Sequence, residues 1–209
     1  MEKLLGVIDY GLGNLRSVTK ALEFLGARVI LSSKREELVP CRGLILPGVG
    51  AFRRGIQNLE RLGLKSFIIE SVERGVSFLG ICLGFQLLFT ESEEHIETEG
   101  LNIIKGRVKK FPTSVKVPHM GWNQVKYQAP SIKSQISKLF EDIPQEAFFY
   151  FVHSYYVEAE EEVIVGTTQY GIEFASVVNK GNIWAVQFHP EKSGKLGLRF
   201  LKNFIENVS

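Results

Sequence analysis

Cysteine is scarce in this sequence: Cys41 and Cys82 are the only two in 209 residues. Two thiols so far apart form neither a disulfide framework nor a C-x-x-C metal pair, which fits a reducing, cytoplasmic setting. Long hydrophobic runs are missing as well. None approaches the roughly 18 residues that a membrane helix needs, and Met1 to Gly6 lacks the apolar stretch and cleavage site of a signal peptide. Neither sign of charge dominates. With 25 Lys and Arg against 23 Asp and Glu, the formal net charge of +2 leaves no electrostatic footprint for nucleic acid. Repeats, low-complexity tracts and linkers are also absent, so one domain over residues 1–209 is expected. What is present suits a soluble globular chain: 44% hydrophobic and 23% charged residues, with enough length to bury roughly 70% of the unfolded surface.

The first half alternates strand and helix. Leu4 to Asp9 is a short apolar run ending in the turn Gly11-Leu12-Gly13-Asn14, and Leu15, Val18, Leu22 and Leu25 then follow helical spacing up to Gly26. Arg28 to Leu31 and Gly43 to Leu46 read as strands, Arg53 to Arg61 and Leu64 to Arg74 as helices, and Val76 to Ile81 as a buried strand running into a helix from Leu83. Apolar strands alternating with helices predict a parallel sheet covered on both faces. The second half is strand-rich: Asn102 to Val108, Trp122 to Tyr127, Phe148 to Phe151, Val163 to Gln169, Phe174 to Asn179 and Ile183 to Phe188, with Gly181-Asn182 a hairpin turn. An amphipathic helix, Leu196 to Ile205, closes the chain. The whole reads as a three-layer α/β domain with antiparallel strands added late.

The most informative segment is Gly80-Ile81-Cys82-Leu83-Gly84-Phe85-Gln86. It sets G-x-C-x-G between a buried strand and a helix, the cysteine form of a nucleophile elbow. Glycines two residues to either side let the chain turn sharply and lift the sulfur above the sheet edge. Free N–H groups and partial positive charge at a helix N-terminus favour the thiolate, the reactive species, and the Leu83 N–H is placed to bind an oxyanion. A buried structural cysteine is the plain alternative. Cys41, between Pro40 and Arg42 with no glycine frame, illustrates it and is expected to be inert.

A thiol nucleophile needs a base, and four histidines are available: His95, His119, His153 and His189. His189 ends an apolar strand, and Pro190 forces it into an extended conformation. His189 and Glu191 then share a face, at a strand terminus where open α/β folds place ligands. There a carboxylate fixes the imidazole tautomer and supports the imidazolium. Zinc could accept Cys82, His189 and Glu191. However, an elbow thiolate backed by a helix N-terminus needs no metal for activation, so no metal or other cofactor is expected.

Leu44-Ile45-Leu46-Pro47-Gly48-Val49-Gly50-Ala51-Phe52 is a strand ending in a Pro-Gly-x-Gly turn, whose glycines let backbone N–H groups approach a ligand. That turn, the elbow and Phe188-His189-Pro190-Glu191-Lys192 together resemble class I (triad-type) glutamine amidotransferase domains. Further segments are similar to the glutaminase subunits of imidazole glycerol phosphate synthases, from histidine biosynthesis. They are Asp9-Tyr10-Gly11-Leu12-Gly13-Asn14-Leu15-Arg16-Ser17, Val117-Pro118-His119-Met120-Gly121-Trp122-Asn123 and Tyr150-Phe151-Val152-His153-Ser154-Tyr155. The likeness runs from Ile8 to the C-terminal helix. Two positions depart from the wider pattern: Val49 replaces a second glycine, as in the histidine-pathway subunits, and Phe85 stands where methionine is expected.

The resemblance implies a flavodoxin-like α/β/α fold with a mixed, mostly parallel sheet. It implies hydrolysis of L-glutamine through a thioester on Cys82, with His189 as acid and base and Glu191 orienting it. Oxyanion donors would be the backbone N–H groups of Val49 and Leu83, and Gly50, Gln86, Glu94, His153, Ser154 and Tyr155 would hold glutamine. On the residues alone, Glu91-Ser92-Glu93-Glu94 reads as a solvated charged turn. The implied partner is a (β/α)₈ cyclase subunit, bound as a heterodimer, which uses the ammonia to make imidazole glycerol phosphate and AICAR. Tyr10, Asn14, Met120, Trp122, Asn123, Tyr150 and Lys192 are the expected docking face. A glutaminase serving a pyridoxal phosphate, anthranilate or guanylate synthase is the alternative. His119 is expected to be structural or interfacial, His95 on the surface, and Lys105, Arg107, Lys109 and Lys110 on a solvated face.

Overall fold

The computed structural model describes residues 3–94, 96–127 and 138–208; His95 lies outside them. The first half runs β1 (Leu4–Ile8), α1 (Leu15–Phe24), β2 (Arg28–Ser32), α2 (Arg35–Leu38), β3 (Gly43–Gly48), α3 (Phe52–Arg61), α4 (Leu64–Glu73) and β4 (Ser77–Cys82). Then come α5 (Leu83–Gln86), β5 (Phe89–Ser92), β6 (Thr98–Glu99), β7 (Ile104–Lys110), β8 (His119–Tyr127), β9 (Ala147–His153) and β10 (Tyr155–Ala159). The chain ends with β11 (Ile164–Tyr170), β12 (Ile172–Lys180), β13 (Ile183–Val186) and α6 (Gly194–Asn207).

Strands β2, β1, β3, β4 and β13 lie side by side in that order, all parallel. From β13 outward the sheet turns antiparallel through β12, β10 and β7, while β8, β9 and β11 form an antiparallel extension. The expected α/β class, with a mostly parallel sheet and antiparallel additions, is what the structure has. Every residue of β3 and of β4 is buried, because helices cover both faces of a parallel sheet. Val18 and Leu22 of α1 pack with Phe200, Leu201 and Phe204 of α6 on one side. Ile56 and Leu59 of α3 pack with Phe67 and Ile68 of α4 on the other. The helical spacing of the apolar residues in each segment put them on these faces.

Three departures from the sequence reading matter for the site. The helix after Cys82 is a single turn, Leu83–Gln86. It leaves free N–H groups near the sulfur but not the macrodipole of a long helix. The strand expected to reach Phe188 ends at Val186, although the Gln187 N–H still bonds the Ser176 carbonyl at 2.9 Å, and a 3₁₀ turn over Pro190–Lys192 follows. Finally, the acidic segment read as a turn begins as strand β5, which ends at Ser92 and brings Glu94 back against the protein.

Candidate functional site

The sheet register assembles the site. Gly48, the last residue of β3, lies opposite Cys82, the last residue of β4. On the other flank Val186 of β13 pairs with Ile81. The C-terminal ends of three adjacent parallel strands therefore meet, and their loops carry the Val49-Gly50 turn, the elbow and the His189 segment. This is the edge at which open α/β sheets bind ligands.

The elbow is as tight as its glycines suggest. Cys82 sits at φ 54 and ψ −106, a left-handed backbone that side-chain-bearing residues rarely hold and that marks stored strain at functional turns. A Cβ on Gly84 would stand 1.7 Å from the Leu46 carbonyl oxygen, and one on Gly80 would stand 2.8 Å from the Gly84 oxygen. Each glycine of G-x-C-x-G is thus required by a backbone neighbour.

His189 and Glu191 come together, through a 3₁₀ turn over Pro190–Lys192 rather than along the extended stretch expected. The imidazole Nδ1 donates to the Glu191 Oε1 at 2.8 Å, and both side chains are buried. This bond leaves Nε2 as the reactive nitrogen; it makes no hydrogen bond of normal geometry here, yet the Cys82 sulfur lies near enough to act on it. Burial works against a charged imidazole, but the Cys82 thiolate and the Glu191 carboxylate outweigh it, raising the His189 pKa to about 10. A neighbour that sequence reasoning missed braces this loop. Ser193 Oγ accepts from the Tyr150 N–H at 2.9 Å and donates to the His189 carbonyl at 2.6 Å, while the His189 N–H bonds the Tyr150 carbonyl at 2.9 Å. Cys41, by contrast, is buried with its thiol pushed up to about 11 by desolvation, which suits an inert cysteine.

Beside Cys82 lies a cavity of about 200 Å³ lined by Val49, Gly50, Leu83, Gln86, Glu94, His153, Ser154 and Tyr155, with Val152 added. All six expected glutamine-binding residues and both expected oxyanion residues are on its wall. Drug-sized ligands occupy roughly 300–1,000 Å³, so this cavity suits a single amino acid better than a peptide. Glu94 is not a solvated charge: its Oε2 accepts from the Phe52 N–H, the first residue of α3, at 2.6 Å. Its partner is 42 residues away in sequence, so no local pattern could reveal it.

The wall is held by a directional chain of hydrogen bonds. The Tyr155 carbonyl can only accept. It takes His153 Nδ1–H at 2.7 Å, so His153 Nε2 must accept from His119 Nδ1–H at 2.9 Å. His119 Nε2 then accepts from the Asn123 amide at 3.2 Å. Burial lowers His119 to about 4 and His153 to about 3, so both stay neutral near pH 7. His119 is therefore structural, stacked against Tyr170 and Phe151.

The expected docking residues divide. Met120 and Trp122 alternate onto one face of β8 and are exposed, at 62% and 55%. Tyr150 is paired with Trp122 in register, and the Lys192 ammonium lies 6.0 Å from the Tyr150 ring centre. Asn14 is exposed nearby in sequence to the β1 turn. Tyr10 does not belong on that face. It is fully buried, its ring fills the space beside the Cα of Gly48, and its hydroxyl has no partner. A glycine at 48 makes the room that takes the tyrosine inside, and burial, then the Cys82 charge, raise its phenol pKa. Asn123 points away from the Met120-Trp122 face, with its amide spent on His119 and the Gln169 carbonyl. Elsewhere, Arg107 pairs with Glu91 and Glu97, and Lys109 with Glu158, on the solvent-facing side of β7, whose Ile104 and Val108 face the core. Among the described residues, no three His, Cys, Asp or Glu side chains gather as a metal-binding group, and Glu191 is committed to His189.

An elbow cysteine, an oriented imidazole and a cavity the size of an amino acid have the geometry of a thiol-based acyl-transfer site. The sequence matches the family model for glutamine amidotransferase class-I over residues 6–208, and the chain belongs to that family. Similar curated proteins include "Imidazole glycerol phosphate synthase subunit HisH" from Moorella thermoacetica, 53% identical over 98% of this chain and 95% of that one. The protein of the same name from Methanocaldococcus jannaschii is 53% identical over 97% of this chain and 99% of that one. Among solved structures, a glutamine amidotransferase superposes with a TM-score of 0.74 at 20% identity, covering 97% of each chain; this likeness bears on the fold alone.

Proposed function

We propose that this chain is the glutaminase subunit of an imidazole glycerol phosphate synthase, hydrolysing L-glutamine at Cys82 and passing ammonia to a (β/α)₈ cyclase subunit. The observation that carries this reading is the convergence of three strand ends, which sets Cys82, the His189–Glu191 pair and an amino-acid-sized cavity together. In the first half-reaction the thiolate attacks the glutamine carboxamide carbon. The resulting oxyanion is bound by the N–H groups of Leu83 and Val49, donors worth about 10²–10³ in rate each. The His189 imidazolium then gives its proton to the departing amide nitrogen, the C–N bond breaks, and ammonia leaves behind a thioester. Neutral His189 takes a proton from water as the hydroxyl attacks the thioester. Glutamate departs and the Cys82 thiolate and imidazolium are restored.

A docked partner supports ammonia transfer, because ammonia released into water at neutral pH would be protonated. Met120, Trp122, Tyr150, Lys192 and Asn14 form the face proposed for the cyclase in a heterodimer, the exposed aromatic and cationic residues being the sort that anchor interfaces. The subunits named above, about half identical across the full chain, favour this partner over a pyridoxal phosphate, anthranilate or guanylate synthase. No described helix is long and apolar enough to cross a membrane, and we place the complex in the cytoplasm, where Cys82 stays reduced.

The test is glutamine turnover by wild type and Cys82→Ala, with and without the cyclase and its ribulosylformimino substrate. Slow turnover alone, strong stimulation in the loaded complex and abolition by Cys82→Ala are expected. Stimulation by a different synthase but not by the cyclase would refute the assignment of partner, and persistent turnover in Cys82→Ala would refute the mechanism.

A further inference from the structure

The mechanism above gives no role to Gln187, a buried polar side chain hydrogen-bonded to the nucleophile. Gln187 follows the last residue of β13, whose pairing with Ile81 carries it alongside Cys82. It is completely buried, between Val186 and Phe188, where an apolar residue would cost less. Both ends of its amide are used. Oε1 accepts from the Gln86 Nε2 at 2.9 Å, and Nε2 donates to the Cys82 Sγ at 3.7 Å.

The direction of that last bond follows from chemistry. Gln86 Nε2 also donates to the Tyr155 carbonyl at 3.0 Å, and a carbonyl only accepts. Gln86 therefore cannot be turned end for end. Gln187 must then present its oxygen to Gln86, which leaves its N–H groups facing the sulfur. Tyr155 is fixed in turn by the His153 and His119 bonds described above, so the amide is aimed by a chain anchored at Asn123.

The other neighbour of the sulfur pulls the opposite way. The Val152 carbonyl lies 3.8 Å from Sγ; it can accept from a thiol S–H but repels a thiolate. A hydrogen-bond donor to the sulfur offsets that repulsion, and Gln187 supplies one beside the His189 imidazolium. We propose that Gln187 is a positioning residue for the glutaminase reaction: its amide N–H supports the anionic form of the Cys82 sulfur and holds it against the repulsion of the Val152 carbonyl. This rests on Cys82 being the nucleophile. It also leaves Gln86 with a free Oε1 as the group it can offer the ligand, an acceptor for a substrate N–H.

The measurement is the rate at which iodoacetamide alkylates Cys82 in the full chain between pH 5 and 10, read from the mass of the Cys82 peptide, for wild type and Gln187→Met. Methionine fills similar volume and donates no hydrogen bond. We expect the pH midpoint of alkylation to rise by about one unit in the variant; below both midpoints the thiolate fraction then falls about tenfold and the reaction slows about three- to fivefold, because the remaining thiolate is the better nucleophile. Above the midpoint the variant should match or exceed wild type by about two- to threefold, since a less stabilised thiolate is the better nucleophile. A disturbed fold does not produce that crossover. An unmoved midpoint, or a rate changed by one factor at every pH, would overturn the role of Gln187 alone. A wild-type Cys82 that reacts no faster than Cys41 would instead remove the nucleophile assignment and this inference with it.

Discussion

Mild acid should loosen this protein before its carboxylates titrate, and the cause is the His119–His153 pair. Every nitrogen in that pair already has a fixed duty. His153 Nδ1 donates to Tyr155, His119 Nδ1 donates to His153, and His119 Nε2 accepts from Asn123. A proton added to either ring would face another donor. Folded-state pKa values of about 4 and about 3 follow from burial, against roughly 6.5 in the unfolded chain. Between pH 7 and pH 5 the unfolded chain therefore gains protons that the folded one refuses, and each histidine removes about 2 kcal/mol of stability. His189 runs the other way. Its pKa, raised to about 10, gives stability that is complete below about 6.5 and is lost as the pH climbs through 10, so it returns about 1 kcal/mol over the same interval. The net loss is about 3 kcal/mol, or roughly 6–12 °C in Tm for a chain of this size. Urea unfolding at pH 7 and pH 5, followed through the buried Trp184, measures it. His119→Gln can keep both hydrogen bonds without titrating and should lose about two-thirds of the pH sensitivity. Equal midpoints at the two pH values, or an unchanged pH dependence in His119→Gln, would refute the reasoning.

Two further substitutions probe the site itself. Glu191→Gln removes the carboxylate that orients His189 and supports its charge. Glutaminase kcat in the complex should fall roughly 10²–10⁴-fold, and the alkaline limb of the pH profile should move to lower pH; a full-rate enzyme with an unshifted limb would contradict the role given to Glu191. Gly84→Ala places a methyl 1.7 Å from the Leu46 oxygen, a backbone atom in the centre of the sheet. Denaturant unfolding should show a loss of about 3 kcal/mol or more, and a loss under 1 kcal/mol would mean the elbow is not as tightly seated as described.

How much of this was legible beforehand depends on whether a residue's duty is local. The elbow was legible because the strain at Cys82 requires glycines two residues away on either side, and those glycines are in the string. The His189 and Glu191 pair was legible by its spacing and by the proline that stops the strand, but not by its path. His189 is extended, whereas Pro190–Lys192 forms a 3₁₀ turn, and that turn rather than i, i+2 alternation along a strand brings the carboxylate to the imidazole. Tyr10 was misplaced for a long-range reason: its aromatic character suggests an interface, and only the pairing of β1 with β3 shows that Gly48 leaves a hollow for its ring. Glu94, which reads as a solvated charge, and Asn123, which reads as part of the docking face, likewise reach partners on other elements and become part of the frame. Gln187 had a signal that went unused. A primary amide inside an otherwise apolar run, Ile183-Trp184-Ala185-Val186-Gln187-Phe188, must find partners or forfeit its desolvation cost. In the fold those partners are Gln86 and the sulfur, so a polar residue breaking an apolar run two residues before a histidine paired with a carboxylate is a reason to look for what it holds.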